Sequence, residues 1–174
     1  MSIPVFRSYI RRKDMDTVLN CLVTDSVGPG EYLDRFQKYA RESLGYDFGF
    51  ALRSPITALE TAFEALGLAP GDVVALPALA PGYYAHALRN RGLQASYVDA
   101  LPDSCVLDLE SLKTGEPRPK ALVLFEALGI MPTDAMALGE IGIPIIEDIS
   151  QSLGAYSGES RAGSLGQISI LGLE

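Results

Sequence analysis

The chain predicts an α/β fold, a three-layer sandwich with a mainly parallel sheet, and three observations predict it. Strand-like and helix-like segments alternate from Phe48 to the end, the order that gives parallel strands joined by covering helices. The run Ala121-Leu122-Val123-Leu124-Phe125 is apolar without alternation, as a strand buried on both faces requires. Between such runs, apolar residues recur at helical spacing beside a charged side, as in Ala58, Leu59, Ala62, Phe63, Ala65 and Leu66 against Glu60 and Glu64.

Taken in order, Asp14 to Leu22 reads as a short amphipathic helix, closed by the turn Thr24-Asp25-Ser26-Val27-Gly28-Pro29-Gly30. Glu31 to Leu44 places Leu33, Phe36, Ala40 and Leu44 on one face, and Gly45 stops the helix. Phe48 to Leu52 predicts a short strand. Ser54 and Thr57 open the next helix, which ends at Gly67, and Ala69-Pro70-Gly71-Asp72 turns into a strand over Val73 to Leu76. Then come a helix near Tyr83 to Arg91, a strand over Ala95 to Val98, a helix near Leu107 to Leu112 and the strand Ala121 to Phe125. A helix near Thr133 to Leu138, a strand over Ile143 to Ile146 and a last strand over Ile168 to Leu173 complete the pattern. Gly115-Glu116-Pro117-Arg118-Pro119 reads as a surface loop, so a single domain over 1–174 is expected.

Composition narrows the function. Among 174 residues, 48% are hydrophobic and 21% charged, the balance of a folded globular chain. A formal charge of −8 with 14 basic residues leaves no surface for nucleic acid, and Arg11-Arg12-Lys13 is a solvated turn before a helix. No stretch approaches the roughly 20 apolar residues of a membrane span, and the N-terminus lacks a signal-peptide layout. Cys21 and Cys105 form no CxxC unit, so a reducing cytoplasm is expected. One histidine, His86, excludes a multi-histidine metal site. Motifs for dinucleotides, nucleoside triphosphates and serine hydrolysis are absent.

The segment Ile146-Glu147-Asp148-Ile149-Ser150-Gln151-Ser152-Leu153-Gly154-Ala155 resembles the strand end that anchors the cofactor in the pyridoxal-phosphate sugar aminotransferases of the DegT and StrS family. Ala65 through Pro77 is similar to that family's Ala-Leu-Gly-x-x-Pro-Gly-Asp-Glu-Val-x-x-Pro, and Ile3-Pro4-Val5, Val27-Gly28-Pro29-Gly30, Tyr97-Val98-Asp99, Leu128-Gly129 and Gly163-Ser164-Leu165-Gly166 keep the family's order. The resemblance covers essentially the whole chain. It implies the N-terminal part of an aspartate-aminotransferase-like large domain, an amino transfer to keto-sugar nucleotides, pyridoxal phosphate as cofactor and a homodimer with its site between subunits.

By the same resemblance, Asp148 would hold the pyridine nitrogen and Gln151 would lie near the ring hydroxyl, with Ser54, Thr57 and Tyr83 completing the cofactor site. A carboxylate on a protonated pyridine makes the ring an electron sink. Several positions depart from the family. Its phosphate-binding Gly-Thr pair aligns with Pro55 and Ile56, its ring-stacking aromatic with Pro81, and a phosphate-contacting serine with Gly172. Ser54 before Pro55 is also an ordinary helix start, and Asp148 with Gln151 an ordinary strand-end cap. The Schiff-base lysine would fall just past Glu174, and none of Lys13, Lys38, Lys113 and Lys120 follows the turn at 163–166. The chain is therefore expected to be a truncated or natively short domain, with no catalytic lysine and no bound pyridoxal phosphate. It would act as a fragment of a transaminase, as a retired paralogue serving as a binding or assembly module, or as a binder of a small molecule or nucleotide sugar.

Overall fold

A computed structural model describes residues 9–173. The opening strand expected at Ile3-Pro4-Val5 lies outside the described residues. Contacts separate the chain into two compact units, Met1–Ala51 and Leu52–Glu174, within the span the sequence reads as one domain.

In the first unit, α1 (Arg12–Val23) and α2 (Glu31–Leu44) follow the two predicted helical periods. A reciprocal cap starts α1: the Arg11 backbone N–H donates to the Asp14 carboxylate at 2.9 Å, and the Arg11 guanidinium pairs with it at 3.1 Å. Neither helix buries a residue, and Met15, Val18, Leu19, Leu22 and Val23 form an exposed stripe along α1. The strand expected over Phe48 to Leu52 does not form. Instead of joining a ladder, the Ala51 N–H donates to the Gln37 side chain at 2.9 Å. A short apolar run makes a strand only where a sheet edge receives it.

The second unit holds the sheet. Its strands are β1 (Val73–Pro77), β2 (Gln94–Val98), β3 (Ala121–Phe125), β4 (Ile145–Asp148) and β7 (Ile168–Ile170), all parallel, in the order β2-β1-β3-β4-β7. Helices α3 (Pro55–Ala65) and α4 (Tyr83–Asn90) cover one face: Leu59, Phe63, Tyr84 and Leu88 pack on Val74, Leu76, Val123, Phe125 and Ile146. Helices α5 (Leu109–Thr114) and α6 (Ala135–Gly139) cover the other, where Leu112 and Leu138 meet Ala75, Leu122, Leu124 and Ile145. These are the three layers expected, and the wholly buried β3 at their centre explains its unalternating sequence. Strand β7 ends at Ile170, short of the expected Leu173, because the Gly172 N–H turns to the Ser150 hydroxyl at 2.7 Å.

A two-stranded hairpin of β5 (Tyr156–Ser157) and β6 (Ser160–Arg161) was not legible as strands, being only two residues a side. Its turn leads into the 163–166 loop, which folds against β4. No helix among the described residues is long and apolar enough to cross a membrane.

Candidate functional site at the carboxyl edge of the sheet

Parallel strands deliver their last residues to one edge, and open α/β sheets bind ligands in the crevice outside that edge. Here β4 ends in Glu147-Asp148, and its alternation splits the two acids. Asp148 shares the α3/α4 face with Ile146, whereas Glu147 shares the α5/α6 face with Ile145. Both are fully buried.

Asp148 has its oxygens occupied from within the protein. One accepts from the Tyr84 hydroxyl; the other accepts from the Ser150 N–H at 2.9 Å and from the Ser150 hydroxyl. The Ser150 oxygen in turn accepts the Gly172 N–H. Burial, and next the charge of Asp148, push the Tyr84 phenol far above its ordinary range, so it remains a donor. Phe125 meets the Tyr84 ring edge-on at 6.1 Å, with Tyr83 edge-on at 5.0 Å on another side. Helix phase places these rings. Tyr84, Ala87 and Leu88 are the inward positions of α4, which leaves Tyr83 half-buried at the rim.

Glu147 is held differently. It accepts the backbone N–H groups of Gly163, Leu165 and Gly166 at 2.6, 2.7 and 2.8 Å, wrapping the 163–166 turn around one carboxylate. Gly166 is required there, since a Cβ would lie 2.9 Å from Glu147 Cβ and from the Ile145 and Ile168 carbonyls. One residue past β3, Glu126 is also buried on this face and accepts the Ser152 hydroxyl.

The remaining predicted residues lie at the same edge but with other partners. Helices α3 and α4 run in the same direction, because Asn90 donates to Glu60 at 2.7 Å and Arg91 pairs with Glu64 at 3.3 Å. Their N-termini, Ser54 and Tyr83, therefore both face the carboxyl edge. Ser54 is the N-cap of α3, its hydroxyl oxygen accepting the Ile56 N–H at 3.2 Å, with Pro55 at the first helical position. Thr57 is exposed on the first turn. Gln151 is exposed, and its side-chain carbonyl accepts the Leu128 N–H at 2.8 Å, stapling the loop after β4 to the loop after β3. That staple holds Leu128 at φ 57°, a left-handed conformation costly for leucine.

These side chains do not fit pyridoxal phosphate as they stand. A pyridinium N–H needs an open carboxylate oxygen, and Asp148 has no exposed surface and a phenol already bound. A phosphate needs convergent N–H donors; Pro55 has none, and the Ile56 N–H is spent on Ser54. Restoring a serine at 172 would not repair the seat, because a Cβ there lies 2.8 Å from Ser150 Oγ. Gly172→Ser is expected to lower stability by about 1–3 kcal/mol through overpacking, read as a lower urea midpoint, without creating phosphate affinity. An unchanged midpoint would show that Ser150 is free to move aside. Sequence reasoning offered Tyr83 or Tyr84 as the aromatic over the ring and kept Tyr83 for the site, although the phase Tyr84, Ala87, Leu88 marks Tyr84 as the inward residue. Glu126, Ser150 and Ser152 were missed, and only the fold brings them together.

The sequence matches the DegT/DnrJ/EryC1/StrS aminotransferase family over residues 8–172. It is 30% identical over 161 residues to the GDP-perosamine synthase of Caulobacter vibrioides, covering 88% of this chain and 43% of that protein. It is 26% identical over 167 residues to the UDP-4-amino-4,6-dideoxy-N-acetyl-beta-L-altrosamine transaminase of Campylobacter jejuni, covering 92% and 44%. The solved E. coli GDP-4-keto-6-deoxy-D-mannose-3-dehydratase with bound hydrated PLP is similar with a TM-score of 0.84 at 24% identity, covering 95% of this chain and 45% of that one. The aminotransferase TlmJ from Streptoalloteichus hindustanus gives 0.81 at 24% identity, covering 97% and 48%. The chain spans about half the length of the curated relatives it matches.

Proposed function

Because the chain belongs to the DegT/DnrJ/EryC1/StrS aminotransferase family, whose enzymes use pyridoxal phosphate, we propose that it keeps the family scaffold with the cofactor seat closed and serves as a binding or assembly module. The observation that carries this reading is the Tyr84 hydroxyl bonded to Asp148, the carboxylate that the family resemblance assigns to the pyridine nitrogen. A buried phenol–carboxylate pair is costly to open, since either group left without its partner loses about 1–3 kcal/mol. The lost donors at Pro55 and Ile56 support the same reading.

The ligand class we propose is a nucleotide sugar, taken from the GDP- and UDP-sugars in the relatives' names, and the partner is a second copy of this chain. Leu79, Leu128 and Leu153, each exposed in a loop just past a strand end, supply apolar surface at that edge. A working amino transfer on a keto-sugar nucleotide is the second reading, favoured by the ordered match over residues 8–172.

Titrating pyridoxal phosphate while recording the visible spectrum separates the two. The closed seat predicts no band that survives desalting and no amino transfer from glutamate to a keto-sugar nucleotide. A retained band that borohydride fixes as added mass on one lysine would overturn it.

A further inference from the structure

The carboxyl edge holds a buried acid that neither reading uses. Glu126 is 1% exposed, follows β3 directly, and has the side-chain parity of Leu122 and Leu124, so it points to the same face of the sheet as Glu147. One of its oxygens accepts the Ser152 hydroxyl. The other, Oε1, is buried and has no donor among the described residues. An orphaned carboxylate oxygen in a dry interior is among the more expensive arrangements a fold can contain. Its neighbour is Glu147, and two ionised carboxylates have no hydrogen to share.

A proton resolves the conflict. Glu147 spends its oxygens accepting three backbone N–H groups from the 163–166 turn, so the proton between the two acids belongs on Glu126. As a neutral acid, Glu126 accepts from Ser152 with one oxygen and donates toward Glu147 with the other. We propose that Glu126 and Glu147 share one proton, and that this proton latches together the loops after β3 and β4 and the 163–166 turn, loosening them when it leaves. The latch spans the candidate site but rests on neither reading of it.

The electrostatics agree with the geometry. Burial raises Glu126 from 4.5 to about 7; the Ser152 hydrogen bond opposes the rise, and Glu147 and Asp148, the charged groups that bear on it, are both acids and add to it. From the loop after β4 it is Ser152 that bonds Glu126, while Ser150 and Gln151 bond Asp148 and Leu128, and the 163–166 turn carries no titratable side chain. The sign follows. Above pH 4.5 the unfolded chain loses this proton while the folded chain keeps it until about pH 7, so stability falls across that window and levels off above it.

Unfolding of the wild-type chain and of Glu126→Gln by urea at a series of pH values tests the latch. The amide keeps the shape of the neutral acid and cannot ionise. The wild-type folding constant is expected to fall by up to about tenfold per pH unit between pH 5 and pH 7, a slope set by one proton, with Glu126→Gln lacking that component. Equal slopes in the two proteins would overturn the proposal. Should the variant not fold, carbon-13 titration of glutamate carboxyls in the wild type decides: one resonance with a midpoint near neutrality supports the latch, and midpoints all in the ordinary carboxylate range sink it.

Discussion

Replacing Glu147 by alanine is expected to unfold the Leu52–Glu174 unit or leave it barely stable. The side chain satisfies three backbone N–H groups at the closed end of the sheet, and it is fully buried. A hydrogen bond to a charged acceptor contributes about 1.5–3 kcal/mol, and burying its donor unpaired adds a desolvation penalty. Discounting for non-additivity, the loss is about 4 kcal/mol or more, comparable with the whole stability of a marginal domain at about 5 kcal/mol. Urea unfolding monitored by circular dichroism checks this, with a midpoint shift below about 1 kcal/mol counting against the role given to Glu147.

Tyr84→Phe is expected to cost about 2–3 kcal/mol, because it removes one oxygen atom and strands a buried carboxylate. The ring contacts with Phe125 and Tyr83 remain, so packing changes little and the loss reports the hydroxyl. A double-mutant cycle with Asp148→Asn sharpens the test. If Tyr84 acts through Asp148, the two losses are non-additive by about 1 kcal/mol or more; additive losses would place the Tyr84 hydroxyl on some other partner.

How much of this was legible depended on whether the signal was local. The strands β1, β3 and β4 were legible because unbroken apolar runs between turn residues have few other uses in a parallel sheet. The second helix was legible within its exact bounds of Glu31 and Leu44, since spacing and a terminal Gly45 agree. Phe48 to Leu52 misled, because a short apolar run carries no information about whether a strand edge is there to receive it. At the site, Asp148 was legible as a strand-end acid, but its partner Tyr84 is 64 residues away in sequence. Glu126 was not legible at all. A glutamate after a strand reads as a solvated turn, and only pairing of Phe125 with Asp148 shows that it lies beside a second buried acid.

The structure's most consequential contrast is between two acids adjacent in sequence. Glu147 is spent on holding a turn, and Asp148 is spent on a tyrosine, so the strand end that would anchor a cofactor is satisfied by the protein itself. A polar group that has found internal partners offers a ligand only what remains after those partners are displaced.

The most direct test of the closed seat is proton NMR of the Tyr84 hydroxyl. Buried and bonded to Asp148, it is expected to give a slowly exchanging downfield resonance, assigned by its absence in Tyr84→Phe. Pyridoxal phosphate added in large excess is predicted to leave that resonance in place. Its disappearance or displacement, together with a new visible absorption band, would show the cofactor taking the carboxylate from Tyr84 and would contradict the account.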